Sequence, residues 1–319
     1  MRIMRLAVVA SLLPASALEA QGLSPIVLLW PGGTRNSAMA NASVTPRDDE
    51  ALFYNPAEIG VNRPITDNRM PVTPVHSAGI SWQRIGNATL HTAGAVFQAG
   101  RAGVGIGARR LTFESSGLPI TASSIGDDGS QSGSSVAIVA GVSRRIRGVS
   151  VGVAANYGED RVGAEAARRT TFDVGFAKAI SFFASPFLIR PNPFHLGLSI
   201  QNLGASTVVN GVRTRAPTMI TAGAGVETYP RRTFDISGNA SVSVRRDGRV
   251  IPRTGWELAW TRLDRHTIAA RAGLRWPEFE GQSPVTFGLG LIRDDVYLDY
   301  AFEPAFDMHT SHRIGLRVR

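Results

Sequence analysis

The chain has 319 residues, of which 43% are hydrophobic, and it carries a formal net charge of +9. A composition this apolar excludes a mainly disordered chain, and the absence of cysteine excludes disulfide scaffolds and cysteine-based metal sites. The positive charge is almost all arginine and is spread along the chain without a basic tract or module, so no nucleic-acid partner is predicted.

Residues 1–20 have the pattern of a secretory signal peptide. Arg2 and Arg5 precede a short apolar run over residues 6–13, and small residues follow. The run is shorter than the ~20 residues that a membrane-spanning helix needs. Cleavage after Ala17 or after Ala20 fits the pattern equally well, and either predicts an exported protein.

From about residue 75 to the end, apolar and polar residues alternate with a period of two. Trp256, Leu258 and Trp260, for example, alternate with Glu257 and Ala259. Successive side chains of a β-strand face opposite sides, so this pattern predicts strands. We expect about fourteen, which begin near Ser77, Thr89, Ala102, Gly133, Val149, Thr170, Phe194, Pro217, Thr233, Arg253, His266, Pro284, Asp295 and His309.

The length of these segments favours a membrane barrel over a soluble sandwich. Most span about ten residues or more, whereas strands of globular proteins usually have about five or six. A tilted strand crosses a bilayer with about nine to eleven residues. The sequence therefore predicts an all-β fold, a transmembrane antiparallel β-barrel in the outer membrane, in contact with outer-membrane lipid.

The connections between the predicted strands alternate in length. Short turns occur at Gly100-Arg101, Arg147-Gly148, Pro230-Arg231, Asp264-Arg265 and Arg293-Asp294, and longer connections at 115–132, 158–169, 204–216 and 277–283. Outer-membrane barrels have short periplasmic turns and longer external loops. An even strand number also leaves both ends of the chain in the periplasm.

Charged residues fall on the face opposite the apolar residues of the predicted strands. A polar lumen tolerates charges that would cost ~2–4 kcal/mol each, for arginine, on the lipid face at mid-depth. We therefore expect lumen-lining charges at Asp173, Glu227, Asp235, Glu257, Arg271, Arg275, Asp299, Arg313 and Arg317.

A wall of this size encloses more space than its own side chains fill. Residues 21–74 are therefore predicted to form an N-terminal plug inside the barrel of residues 75–319. This segment contains Asn55-Pro56-Ala57, whose Asn and Pro suit a tight turn. The acidic triplet Asp48-Asp49-Glu50 is predicted to begin a helix or to form salt bridges within the plug.

Several of these segments resemble one protein family in order along the chain. Residues 37–57 combine a small-residue run, acidic residues and the ending Phe-Tyr-Asn-Pro-Ala, and similar matches follow at residues 195–204, 271–274, 287–290, 298–302 and 312–316. They resemble the PorV/PorQ family of outer-membrane proteins, which is related to the long-chain fatty-acid transporter (FadL-type) barrels. The resemblance implies a fourteen-stranded barrel with a short N-terminal plug.

The resemblance implies two different functions. PorV-type proteins dock or shuttle exported proteins in type IX secretion, which implies secreted cargo or secretion-system subunits as partners. FadL-type proteins pass hydrophobic small molecules, which implies a hydrophobic ligand. The main hypothesis is the docking barrel, the alternative is the FadL-like channel, and a purely structural barrel is a third reading.

The sequence gives no positive indication of catalysis, a cofactor or a metal. His309 and His312 lie three residues apart and would face opposite sides of a strand, and no third ligand accompanies them. We therefore expect no metal site, no cofactor and no enzyme activity.

Overall fold

A computed structural model describes residues 24–46, 48–60, 76–114, 132–162, 165–180, 194–209, 212–227, 234–261, 266–278, 282–304 and 310–319. The predicted signal peptide, residues 61–74 of the predicted plug and His309 lie outside the described residues. No helix in the described ranges is long and apolar enough to span a membrane.

Sixteen strands are described. They are β1 (Ser77–Ile85), β2 (Ala88–Ala99), β3 (Ala102–Glu114), β4 (Ser132–Ile146), β5 (Val149–Val162), β6 (Glu165–Ile180), β7 (Phe194–Leu203), β8 (Thr207–Val209), β9 (Val212–Thr214), β10 (Met219–Glu227), β11 (Phe234–Arg245), β12 (Val250–Thr261), β13 (His266–Arg275), β14 (Val285–Arg293), β15 (Val296–Glu303) and β16 (Ser311–Val318). Fourteen of them, all except β8 and β9, form a closed antiparallel barrel in which β1 pairs with β16. The predicted fold class is confirmed, and closure leaves no strand edge unpaired.

The alternating sequence explains why each strand fits the wall. In β16, Ser311, Arg313 and Arg317 are buried toward the lumen, whereas Ile314 and Leu316 are exposed on the outside. The register pairs outward residues with outward residues across neighbouring strands, as in Ile80 opposite Leu316 and Trp82 opposite Ile314. A one-residue slip would turn the lumenal arginines toward lipid, so the register is strongly specified.

The outer surface of the barrel is a belt of large apolar side chains. Its members come from strands all round the wall and include Ile80, Val104, Ile138, Val153, Phe172, Leu198, Ile220, Ile236, Leu258, Leu274, Leu289, Leu298 and Leu316. A closed barrel with an apolar outside is one of the two backbone architectures that can span a bilayer. The protein is therefore an outer-membrane barrel.

Two features of the connections differ from the sequence predictions. The long connection predicted at residues 158–169 is wrong, because β5 continues to Val162 and β6 begins at Glu165. Glycine and charged residues there interrupt the apolar alternation, although the strands continue past the apolar belt. The connection after β7 also contains an unpredicted small hairpin, β8 paired with β9.

Residues 24–60, apart from residue 47, lie inside the lumen, and we call them the plug. They include 3-10 helices at Ile26–Leu29 and Pro56–Glu58, and short helices α1 (Thr34–Ala38) and α2 (Ala51–Tyr54). Most of the plug is buried, and its side chains form two apolar clusters with the wall. The first cluster joins residues 26–30 to β2, β3 and β4 near the end with the longer connections. The second joins residues 52–59 to β2, β4 and β5 nearer the other end.

The plug therefore runs along the lumen from one end of the barrel to the other. Its first described residue, Ser24, donates from Oγ to Asp160 near the end of β5 that leads into the β5–β6 connection. Its last contacts lie at the opposite end, where the Ser143 hydroxyl donates to the Ile59 carbonyl at 2.5 Å. We call the end near Ser24 the loop end and the end near Ile59 the terminus end, because the barrel begins and finishes there.

A row of glycines in the wall gives the plug its room. A Cβ atom at Gly152 would lie 2.1 Å from the Pro56 carbonyl oxygen, and one at Gly175 would lie 2.0 Å from Asn55 Oδ1. We call such lumen-facing positions, where a Cβ would meet the plug within 3.0 Å, the glycine belt: Gly79, Gly103, Gly105, Gly107, Gly141, Gly152, Gly158, Gly175, Gly197, Gly223, Gly255, Gly273, Gly288 and Gly315. Side chains at these positions would collide with the plug.

Candidate functional site

The Asn55-Pro56-Ala57 segment is completely buried against the wall. Asn55 Oδ1 accepts a hydrogen bond from the Ala57 amide at 3.0 Å, which forms the predicted local turn. Asn55 Nδ2 donates to the Val44 carbonyl at 2.9 Å and to the Phe176 carbonyl of β6 at 3.3 Å. This side chain therefore joins two parts of the plug to the barrel.

A chain of ion pairs connects the plug to the wall on β12, β13, β15 and β16. Glu257 pairs with Arg35 of the plug at 2.8 Å and with Arg271 at 2.5 Å. Asp299 pairs in turn with Arg271 at 2.7 Å and with Arg317 at 3.3 Å. Alternating signs in a buried chain let each charge compensate its neighbours.

The acidic triplet of the plug takes part in the same region. Asp48 forms an ion pair with Arg317. Glu50 accepts from the Arg35 amide at 2.8 Å and from the Asn36 amide at 3.0 Å. These are free amides of the first turn of α1, so Glu50 caps a helix that precedes it in the sequence.

Arg313 lies at the centre of a second set of contacts, and only 1% of it is exposed. Its Nη1 donates to the Pro31 carbonyl of the plug at 2.7 Å. Its Nη2 donates to the Ser81 hydroxyl at 2.8 Å and to the Thr92 hydroxyl at 3.1 Å. Arg313 thus supports the plug backbone from the wall.

The remaining predicted lumenal charges are spread around the barrel. Asp173 is buried and accepts from Asn156 Nδ2 at 2.9 Å and from the Asn202 amide at 2.6 Å. Arg275 is buried and pairs with Glu303. Asp235 is half-buried at a lumen-facing position of β11, between the outward Phe234 and Ile236. The side chain of Glu227 lies outside the described residues, and its backbone pairs with Ser237.

Two lumenal charges that the sequence analysis did not select also hold the plug. Asp160 accepts from the Ile26 amide at 3.1 Å and from the Ser24 hydroxyl at 2.6 Å. Arg169 donates to the Ser24 carbonyl at 2.7 Å. Both were assigned to an external loop, and only the true length of β5 and β6 shows that they face the lumen.

A cavity of about 230 Å³ lies between the plug and the wall near the loop end. The plug contributes apolar side chains, among them Leu28, Trp30, Val44 and Phe53. The wall contributes Gln83, Gln201 and a set of charged residues. Among the described residues these charges are five arginines, Arg109, Arg245, Arg249, Arg253 and Arg275, and two glutamates, Glu278 and Glu303.

Most of these arginines have a carboxylate partner. Arg253 pairs with Glu278 at 2.6 Å, and Arg275 pairs with Glu303. Arg245 pairs with Asp247 at 2.9 Å in the turn after β11. Their charge is therefore largely compensated within the protein.

Arg109 on β3 differs from these paired arginines. It is only 6% exposed, and its Nη1 donates to the Trp30 carbonyl at 3.0 Å. Its guanidinium carbon lies 5.1 Å from the centroid of the Phe53 ring, and its buried Nε has no hydrogen-bond partner among the described residues. It also forms no ion pair with any described carboxylate. A buried cation without a carboxylate in direct contact is costly, so this side of the cavity favours an anionic group.

Sequence reasoning missed Arg109, although a signal was present. Gly105 and Gly107 share its lumenal face, whereas Val104 and Ile106 are exposed outside. Because residues two apart on a strand share a face, the alternation places the Arg109 side chain in the lumen. In the described ranges, no three His, Asp or Glu side chains are placed so that they could hold a metal ion together.

Comparison with solved structures supports the fold. The toluene transporter TodX of Pseudomonas putida aligns over 90% of this chain and 96% of its own, with a TM-score of 0.50 and 12% identity. Omp33 of Acinetobacter baumannii aligns over 76% of this chain and 97% of its own, with a TM-score of 0.41 and 10% identity.

A third similar structure is CdiB of Acinetobacter baumannii. It aligns over 76% of this chain, with a TM-score of 0.42 and 8% identity, and this chain spans 59% of its length. No protein-family model matches the sequence, and neither does any curated protein. The likeness to TodX shows the fold alone and gives no support to PorV/PorQ membership.

Proposed function

We propose that this protein is a FadL-like channel that takes up small hydrophobic molecules through the outer membrane. The observation that carries the proposal is the cavity of about 230 Å³ near the loop end, with Leu28, Trp30 and Phe53 on its apolar side. Small-molecule sites are concave and mostly apolar, with a few polar groups that fix orientation. The shared fold with the toluene transporter TodX is in keeping with this function.

The size and charge of the cavity indicate which class of ligand it can bind. Pockets for drug-sized ligands measure ~300–1,000 Å³, so this smaller cavity suits a compact molecule. The apolar plug residues would contact its hydrocarbon part, and Arg109 would bind an anionic end. A neutral hydrocarbon would leave Arg109 without a direct ionic contact.

Paired probes test this assignment. We would titrate the barrel in lipid nanodiscs with octanoate and with 1-octanol, which have the same chain length and differ in charge. We expect octanoate to bind more tightly. Arg109→Gln should weaken octanoate binding by about tenfold to a hundredfold, the usual effect of losing a hydrogen bond to a charged group, and should leave 1-octanol binding nearly unchanged.

Uptake of radiolabelled octanoate into proteoliposomes tests passage itself. Arg168→Gln is the matched control, because Arg168 lies outside the lumen on an exposed part of β6. Absence of saturable binding, together with uptake no faster than in protein-free liposomes, would refute the proposal. The secretion-docking hypothesis stays a prediction that no observation here tests.

A further inference from the structure

Four basic or imidazole side chains lie close together on the outside of the barrel near the loop end. They are Arg84 on β1, His91 on β2, Arg110 on β3 and His312 on β16, and all four are exposed. We call this set the rim patch. It lies at the border of the apolar belt, where the nearest large exposed apolar residue on β1 is Trp82, two residues from Arg84.

Strand register brings the members of the rim patch together. Arg84 lies directly opposite His312, and His91 lies directly opposite Arg110. Trp82 lies opposite His91 on β1, two residues from Arg84. Directly opposite residues on one face have Cβ atoms about 4.5–5.5 Å apart, and diagonal neighbours about 7–8 Å. All four side chains can therefore reach one bound headgroup.

Among the residues that the structure describes, no carboxylate pairs with the arginines of the rim patch. Farther round the same end of the wall, Glu159 compensates Arg161 at 2.6 Å and Arg168 at 2.8 Å. Within the described ranges, the outward arginines Arg161 and Arg168 of β5 and β6 thus have a carboxylate partner, whereas Arg84 and Arg110 of β1 and β3 have none.

Two contacts orient members of the rim patch. Arg84 Nε donates to the Gly86 carbonyl at 3.3 Å, so its terminal nitrogens remain available. His312 Nδ1 lies 2.8 Å from the Tyr300 hydroxyl, and its ring centroid lies 5.2 Å from that of Phe302. When the hydroxyl donates to Nδ1, Nε2 carries the proton and acts as a donor.

We propose that the rim patch binds the phosphate groups of the phosphorylated glycolipid of the outer leaflet, lipid A. Its side chains extend from the wall into the headgroup layer, where a lipid is the neighbouring molecule. Arginine binds phosphate through planar, charge-assisted hydrogen bonds. The loop end faces outward because outer-membrane barrels have short periplasmic turns, and turns at the terminus end include Gly100-Arg101 and Arg147-Gly148.

Native mass spectrometry of the full chain in a neutral detergent tests the proposal. We would titrate bisphosphorylated lipid A, the same lipid without phosphates, and phosphatidylglycerol. We expect bisphosphorylated lipid A to bind most tightly. The double variant Arg84→Gln, Arg110→Gln should weaken it by about tenfold or more, since each basic residue near an anionic headgroup contributes about fivefold.

The matched control is Arg161→Gln with Arg168→Gln, which removes two paired outward arginines and should change lipid A binding by less than about twofold. Heat-dependent migration on gels verifies folding, and Arg84→Gln alone serves if the double variant does not fold. Equal binding of the dephosphorylated lipid, equal effects of the two double variants, or tighter binding of phosphatidylglycerol would each overturn the proposal. The octanoate titration is independent, so failure here leaves the proposed channel function standing.

Discussion

Asp49 is a plug carboxylate enclosed between the plug and the start of the barrel. It is 7% exposed, and its Oδ1 accepts from the Ser77 hydroxyl at 2.8 Å. Burial, followed by the neighbouring Glu50 carboxylate, raises the pKa of Asp49 from 3.8 to about 7. The folded protein therefore binds a proton at Asp49 that the unfolded chain releases at lower pH.

This shift gives a defined pH dependence of stability. Because the folded pKa is the higher one, the contribution of Asp49 to stability is fully present below about pH 4 and is lost by about pH 7, where the folded carboxyl also ionises. Asp49→Asn should remove that loss. Its free energy of unfolding should match that of the parent at about pH 4 and exceed it by up to ~4 kcal/mol at about pH 8. Urea unfolding in detergent micelles measures both values.

Asp247→Asn is the control, because Asp247 lies in an exposed turn and its side chain is 44% exposed. Loss of its exposed ion pair with Arg245 should change the free energy of unfolding by less than about 1 kcal/mol, by the same amount at both pH values. A parallel shift of Asp49→Asn at both pH values would show that the burial of Asp49 does not set the dependence.

Adjacent residues show what sequence alone can and cannot supply. Arg109 and Arg110 are neighbours, yet one is buried beside the plug and the other is exposed on the outside. Parity within β3 assigns each to its face. It does not reveal that Arg109 lacks a carboxylate partner, because partners such as those of Arg253 come from other strands and connections.

At the scale of elements, the plug fits the lumen because the glycine belt leaves space for it. Gly152→Ala should push a methyl group against the Pro56 carbonyl, which a Cβ would approach to 2.1 Å. Overpacking of this kind typically costs ~1–3 kcal/mol. We expect a lower unfolding midpoint and faster tryptic cleavage at Arg35 in the plug.

Gly238→Ala provides the comparison. Gly238 belongs to a barrel strand too, and the atoms nearest to a Cβ there belong to the ring of Trp256, an exposed side chain on the outer surface. This substitution should leave plug cleavage unchanged. If both variants changed the unfolding midpoint and tryptic cleavage equally, the effect would come from replacing a strand glycine and not from the contact with the plug.

The strands themselves were largely predictable. All fourteen barrel strands lie where the alternation placed them, because lipid and lumen impose opposite chemistry on successive residues. The extension of β5 and β6 past the membrane was missed, since residues such as Glu159 and Arg161 there carry charge on the outer face too. The sequence predicted that the lumen holds a plug, but it did not predict the glycine belt. Its glycines contact plug residues that are distant in sequence.

At the scale of the whole molecule, the plug occupies a lumen that the wall alone would leave open. Deletion of residues 24–60 should therefore raise the single-channel conductance in planar bilayers well above that of the full chain. Asn55→Ala, which removes the contacts to Val44 and Phe176 but keeps the plug, is the intermediate control. Identical conductance of the deletion and the full chain would show that residues 24–60 do not block the pore.

The path of the plug from Ser24 at the loop end to Ile59 at the terminus end limits the order of assembly. The wall closes where β1 pairs with β16, the first and last strands of the chain. The plug contacts the glycine belt and the lumenal ion pairs along most of its length, so it would be difficult to insert after that closure. We therefore expect the plug to lie within the curling sheet before β1 pairs with β16, so that the pairing of these two strands encloses it.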